Sequence, residues 1–308
     1  MAGNTSLVDF EFERQSDEQI FTVQVLVMIF LCINLLLITT FFQKQCFYAT
    51  TRYILFAVSL LSDSLLLFLS DILLLLTHYN VVIQVWLCVI ICVVTLVYTT
   101  VTPVTLTAMT LERYVAVCMP LRHGELCSTR NNVNIVLFIH ALSSVPCIVI
   151  LSTIFGSASL KFYTQFQLCA VELLFIYLWQ HHLRSVISQF YFLIMLIPVV
   201  ISYVKIMKVA KAASGEDKQS SRKGLRTVAL HGFQLLLCLI QLWCPFIEAA
   251  IVQISFTLFH NVRYFNYILF YLVPKFLSPL IYGLRDEVFF HALKKYVSFG
   301  LYKGNNIG

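Results

Sequence analysis

The sequence predicts an all-α membrane protein: a seven-transmembrane helix bundle with a short amphipathic C-terminal helix. Three observations carry that expectation. The 308 residues are 59% hydrophobic and only 12% charged, where a soluble domain carries roughly a quarter of its residues as charges. Seven apolar stretches each reach the length of about twenty helical residues that crosses a bilayer. The Lys and Arg residues then divide unevenly between the two sides of the membrane.

The stretches lie near 20–42, 53–77, 85–118, 131–155, 185–208, 226–253 and 265–284. They lack the period-two alternation of barrel strands, and lipid admits only helices or closed barrels, so each is expected to be a helix. Residues 1–19 hold five acids and one Arg, unlike the basic segment that opens a cleavable signal peptide. They are expected to form an extracellular N-terminus ahead of an uncleaved first span. In that orientation 16 of the 21 Lys and Arg, from Lys44 to Lys303, fall on the cytoplasmic side. Four (Arg14, Lys161, Arg184 and Arg263) fall outside, and Lys275 lies within span seven. Asn4-Thr5-Ser6 is then a glycosylation sequon on the outer side.

The net charge of +6 follows from this topology and gives no support to a nucleic-acid partner. No internal repeat divides the chain, so residues 1–308 are expected to form one domain. Its basic linker, 211–224, is cytoplasmic. The tail 285–308 is cytoplasmic too, and within it Val288, Phe289, Ala292, Leu293 and Tyr296 oppose Lys294 and Lys295. That pattern suits a helix lying on membrane lipid at the inner leaflet.

Most of the ten cysteines lie within spans, where a thiol is a small apolar group. Cys88, at the outer start of span three, and Cys169, in the loop 156–184, are placed where an oxidising exterior reaches them. A disulfide between them is expected. Closing a loop of about 80 residues contributes roughly 4 kcal/mol in the chain-entropy model, and pins the loop over the mouth of the bundle.

Three motifs in order carry a resemblance. Met109-Thr-Leu-Glu-Arg-Tyr-Val-Ala-Val-Cys-Met-Pro-Leu-Arg-His123 ends span three, and Lys223-Gly-Leu-Arg-Thr-Val-Ala-Leu-His231 opens span six. Ser278-Pro-Leu-Ile-Tyr-Gly-Leu-Arg-Asp286 ends span seven. With Leu60-Leu-Ser-Asp63 and Asn34, these resemble the olfactory receptors among the rhodopsin-like G-protein-coupled receptors. The run "LHGFQLLLCL" from Leu230 looks like that family's fish-type branch. Ser278 replaces the Asn of the wider family's Asn-Pro pair.

The resemblance implies an odorant receptor in the plasma membrane of olfactory neuron cilia, coupled to a stimulatory, olfactory-type heterotrimeric G protein. It implies that Glu112 and Arg113, with Tyr114, form the switch at the inner end of span three, and that Tyr203 and Tyr282 settle into the space opened on activation. It also implies a ligand pocket among spans three, five, six and seven. On those spans Thr95, Thr99 and Thr102 make one polar stripe at i, i+4 and i+7, and Gln234, Gln241 and Glu248 another at steps of seven. Ser188, Gln189, Tyr267 and Tyr271 complete the candidate ligand contacts. The competing reading is that such Thr hydroxyls bond their own helix and such Gln residues glue helices together.

Asp63 stands mid-span, where a carboxylate costs roughly 2.5–3.5 kcal/mol on insertion scales, so it should have a partner. Lys275, four residues before Pro279 in span seven, is expected to be that cation. A span-seven Lys is also where an opsin holds retinal, but here it lies almost a full turn deeper. No metal, organic cofactor or catalytic constellation is expected, so the chain should not be an enzyme. A related receptor for a metabolite or hormone is the alternative; a transporter would show repeat symmetry and paired broken helices. Homo-oligomerisation is not legible in the sequence.

Overall fold

The structure, a computed structural model, describes residues 2–43, 47–48, 50–126, 129–213, 218–280, 289–291 and 293–295. Of these, the side chains at 2–16, 123, 125–126, 129–130, 210–213, 218–228 and 231 lie outside the description.

Long helices follow the apolar stretches. They are α1 (Ala2–Phe42), α2 (Thr51–His78), α3 (Val85–Cys118), α5 (Thr129–Ser157) and α7 (Leu178–Ala213), with the short α4 (Pro120–Leu126) between α3 and α5 and the single turn α6 (Leu160–Tyr163) between α5 and α7. The first helix starts well before the expected residue 20. No Gly or Pro occurs between Asn4 and Phe42, so the polar leader simply continues the helix of the span. Apolarity marks what lipid covers, and helix breakers mark where the helix stops.

Span six is two helices, α8 (Lys218–Gln241) and α9 (Cys244–Ile251), bent by 42° across Leu242 and Trp243. Pro245 accounts for the break: its ring clashes with the carbonyl of Gln241 and it has no N–H to donate. Span seven also begins early, at α10 (Phe256–Asn266), where the Ser255 hydroxyl caps the helix by accepting from the Leu258 amide at 3.4 Å. A π-helical stretch (Tyr267–Leu272) and α11 (Val273–Ser278) follow.

Helix α3 lies at the centre, packed against α2, α5, α7 and α8. The main core joins Leu55, Phe56 and Leu60 of α2 to Leu106 and Met109 of α3, Met195 of α7 and Leu239 of α8. Phe289, one of the described tail residues, is buried in that core against Phe47 and Phe56, with ring centroids 5.4 and 5.5 Å away. The outer faces are apolar as well: Leu35, Phe138 and Phe190 are 62%, 67% and 61% exposed. Apolar surface on that scale needs lipid rather than water around it. The chain is a multi-pass membrane protein.

At one end of the bundle, a two-stranded antiparallel sheet joins β1 (Val82–Gln84) to β2 (Phe166–Leu168). The Cys88–Cys169 disulfide bridges α3 to the residue after β2, as expected from the sequence. A second cluster, including Val85, Ile150, Ile154, Leu174 and Phe175, packs around it.

Candidate functional site

Asp63 of α2 is wholly buried, and a carboxylate there must find its partners inside the bundle. Thr102 of α3 donates to one carboxylate oxygen at 2.8 Å, and Ser59, a turn earlier on α2, donates to the other at 3.4 Å. Lys275 of α11 is 2% exposed, and its charge and that of Asp63 attract one another. The two are not closed into a direct ion pair. The Lys275 ammonium turns back along its own helix, donates to the Tyr271 carbonyl at 3.1 Å and stands 3.8 Å from the centre of the Tyr271 ring. Thr102 thus belongs to the Asp63 network: it lies about two turns below Thr95 on α3, at the depth of the acid.

Span seven is tied to its neighbours by further polar bonds. The Tyr271 hydroxyl donates to the Leu66 carbonyl at 3.1 Å. Tyr267 stacks on Tyr271 with centroids 4.9 Å apart and shares a 3.4 Å hydrogen bond with Ser70. From span six, the fully buried Gln234 donates to the Pro274 carbonyl at 2.9 Å and to the Ser278 hydroxyl. Span one joins in through Gln24, which donates to Asp71. Gln24, Ser70 and Asp71 are not among the residues expected from the sequence, although Gln24 and Asp71, as polar groups in apolar helices, need partners inside the bundle just as Asp63 does.

Toward the disulfide end, Thr95 and Thr99 donate to the carbonyls of Ile91 and Thr95 at 2.8 and 2.7 Å, each one turn back on α3. Glu248 accepts from Asn266 at 3.0 Å, joining α9 to α10. Gln241 and Ser188 are half-buried, whereas Gln189 is exposed and reaches the Ser185 hydroxyl at 3.4 Å. Arg184 lies over the Phe175 ring at 5.0 Å and is attracted by both Glu172 and Glu248.

Glu112, Arg113 and Tyr114 are half-buried at the other end of α3. Lys205 of α7 stands 5.6 Å from the centre of the Tyr114 ring. Tyr203 lies against Gly232 of α8, its ring 3.7 Å from where a β-carbon would stand. Nearby, Thr51 donates to Asn132, joining α2 to α5. Tyr282 lies outside the described residues, as does the side chain of Asn4, whose backbone is part of α1.

A family model for the 7 transmembrane receptor (rhodopsin family) matches residues 33–282. The chain belongs to the rhodopsin family of seven-transmembrane receptors. It is similar to Odorant receptor 131-2 of Danio rerio, at 42% identity over 299 residues that cover 97% of this chain and 92% of that protein. The resemblance drawn from the ends of spans three, six and seven is borne out. Membership makes the chain a receptor rather than an enzyme. Along α3, Thr95 and Thr99, expected to meet ligand, lie toward the disulfide end and Glu112, Arg113 and Tyr114, expected to signal, toward the other, with Thr102 of the Asp63 network between them.

Proposed function

We propose that this receptor binds a small-molecule odorant toward its disulfide end and activates a stimulatory, olfactory-type G protein at its Arg113 end. The likeness over nearly the whole chain to a protein named as an odorant receptor carries this reading. The N-terminus is then extracellular, Asn4 is open to glycosylation, and the receptor works in the plasma membrane of a sensory cilium. Thr95, Thr99, Ser188, Gln241 and Glu248 are the candidate ligand contacts, with Gln189, Tyr267 and Tyr271 beside them. Glu112, Arg113, Tyr114, Tyr203 and Tyr282 form the coupling end. Lipid meets the apolar outer faces and the basic C-terminal segment.

Coupling is expected to work through span six. That span is already divided at Leu242–Trp243, so its Arg113-end half can swing without dragging α9 with it. The test is cyclic AMP in cells expressing the receptor with an olfactory-type G protein, challenged with amino acids, bile salts, steroids and small volatiles. A rise that Arg113→Ala abolishes, at matched surface level, is the expected outcome. A ligand-evoked signal unchanged by Arg113→Ala would overturn the switch. Silence of the surface-delivered receptor across the whole panel would count against an odorant ligand.

A further inference from the structure

Three charged groups converge at the disulfide end without closing on one another. Arg184 stands near the start of α7, Glu248 on α9, and Glu172 in the segment that follows the disulfide-bonded Cys169. Both carboxylates attract the Arg184 guanidinium. Among the described residues, however, neither forms an ion pair with it, and its N–H groups meet no hydrogen-bond acceptor. The guanidinium lies over the Phe175 ring at 5.0 Å, and that ring is buried in the cluster around the disulfide. Stacking rather than an acid holds it in place.

A guanidinium presents its donors in a planar fork that matches a carboxylate, and away from bulk water it is costly to leave them unused. Arg184 is half-buried, and protein is packed densely about its charge. A side chain crowded by protein yet still open to solvent lines a cleft. Glu248 is half-buried as well, whereas Glu172 is exposed. Of the two acids, Glu248 is the less screened by water and the stronger partner for a cation. Asn266 donates to one of its oxygens at 3.0 Å, which orients the carboxylate and leaves the other oxygen to bind.

We propose that Arg184 and Glu248 are the two poles of a binding site for a small zwitterion, a molecule bearing both a carboxylate and an ammonium group. The ligand carboxylate takes the Arg184 fork in a bidentate pair, and the ligand ammonium takes the open Glu248 oxygen. Glu172, tethered close by through the disulfide, adds a second negative charge on the ammonium side. Ligands with one charge or none fit less well. A bare anion meets two carboxylates, a bare cation meets the guanidinium, and a neutral molecule strips water from the charges without replacing it. The inference rests on the reading of this chain as a small-molecule receptor whose ligand enters at the disulfide end. It narrows the ligand to one chemical class and adds Arg184 and Glu172 to the candidate contacts.

The test uses the full receptor purified in detergent, where a ligand that binds the folded state raises Tm without any G protein. The common free amino acids are compared with their N-acetyl derivatives, which lack the ammonium, and their amides, which lack the carboxylate. At least one free amino acid is expected to raise Tm, and each of its two derivatives to need about tenfold more for the same shift. This comparison is made on wild-type protein and needs no substitution. In Arg184→Gln the free amino acid and its amide should become equally weak. In Glu248→Gln the free amino acid and its N-acetyl derivative should become so. A merely structural role for either residue would not pair each protein charge with one ligand group. A Tm that no free amino acid moves, or derivatives as potent as their parent, overturns the proposal. Cyclic AMP in cells separates this failure from that of the wider reading. A response to a neutral volatile or a steroid, with every amino acid silent, removes the zwitterion site and leaves the odorant receptor. A Tm shift with an amino acid that evokes no cyclic AMP leaves the site and removes the coupling.

Discussion

Spans three, four and five run as continuous helices through Pro103, Pro146 and Pro198, whereas span six breaks ahead of Pro245 and span seven becomes π-helical ahead of Pro274. Each proline removes one backbone donor and leaves the carbonyl four residues earlier without it. In span four the freed carbonyl is that of Leu142, and it accepts a 2.7 Å hydrogen bond from the Tyr191 hydroxyl of α7. A neighbouring helix restores the missing bond, and the helix continues. In spans six and seven the local helix gives way, and buried side chains carry the connections: Gln234 to Pro274 and Ser278, Lys275 to the Tyr271 carbonyl, Tyr271 to Leu66. The same residue type thus leaves a stiff frame in one region and a jointed pair of spans in the other. A receptor that must change shape has its joints where side chains, rather than the helical ladder, hold the spans.

The largest expected effect comes from the charge pair that ties frame to joint. Removing one member of a buried charge pair costs about 3–5 kcal/mol, because the other is left uncompensated. Asp63→Asn and Lys275→Gln are each expected to abolish surface delivery, and the double substitution to restore it, as read by flow cytometry. If the double variant is no better than either single one, the two charges do not compensate each other. Next comes Gln234→Leu, which strips partners from the Pro274 carbonyl and the Ser278 hydroxyl. A cost of about 1–3 kcal/mol per group left unpaired should lower Tm in detergent. Tyr191→Phe tests the frame in the same way. It bares one group, the Leu142 carbonyl, where Gln234→Leu bares two, so at about 1–3 kcal/mol per group it should lower Tm less than Gln234→Leu does. The reverse order would mean the frame depends on its interhelical bonds more than the joints do.

The frame was legible because length and apolarity determine a membrane helix: span three, expected at 85–118, is observed at Val85–Cys118. The joints were missed because apolarity says nothing of breaks. Pro245 and the Ser255 cap were the signals, and both are local chemistry rather than composition. Candidate site residues were visible as polar residues in apolar helices, but their partners were not. Asp63 was expected to find its cation in Lys275, and the two charges do attract one another, but the hydrogen bonds to its carboxylate come from Thr102 and Ser59, because depth along each helix decides which groups can touch. Sequence reading finds a group that needs a partner; packing chooses the partner.

The smallest effect belongs to the threonines of α3, and it is the most useful for finding ligand contacts. Thr95 and Thr99 hydroxyls donate only to carbonyls of their own helix, bonds that add little and slightly perturb a helix. Valine keeps the shape, so Thr95→Val and Thr99→Val should shift stability by less than about 0.5 kcal/mol. Thr100 is the contrast: its hydroxyl also donates across to the Ser143 carbonyl of α5 at 2.9 Å, and Thr100→Val should lower Tm measurably. Once the first two variants are shown to match the wild type in Tm, a change in their dose–response to an agonist cannot come from a weakened frame. It would then report a lost contact with the ligand. An unchanged response would leave Thr95 and Thr99 as helix residues bonded to themselves, and would move the search to Gln241 and Glu248 on the jointed side.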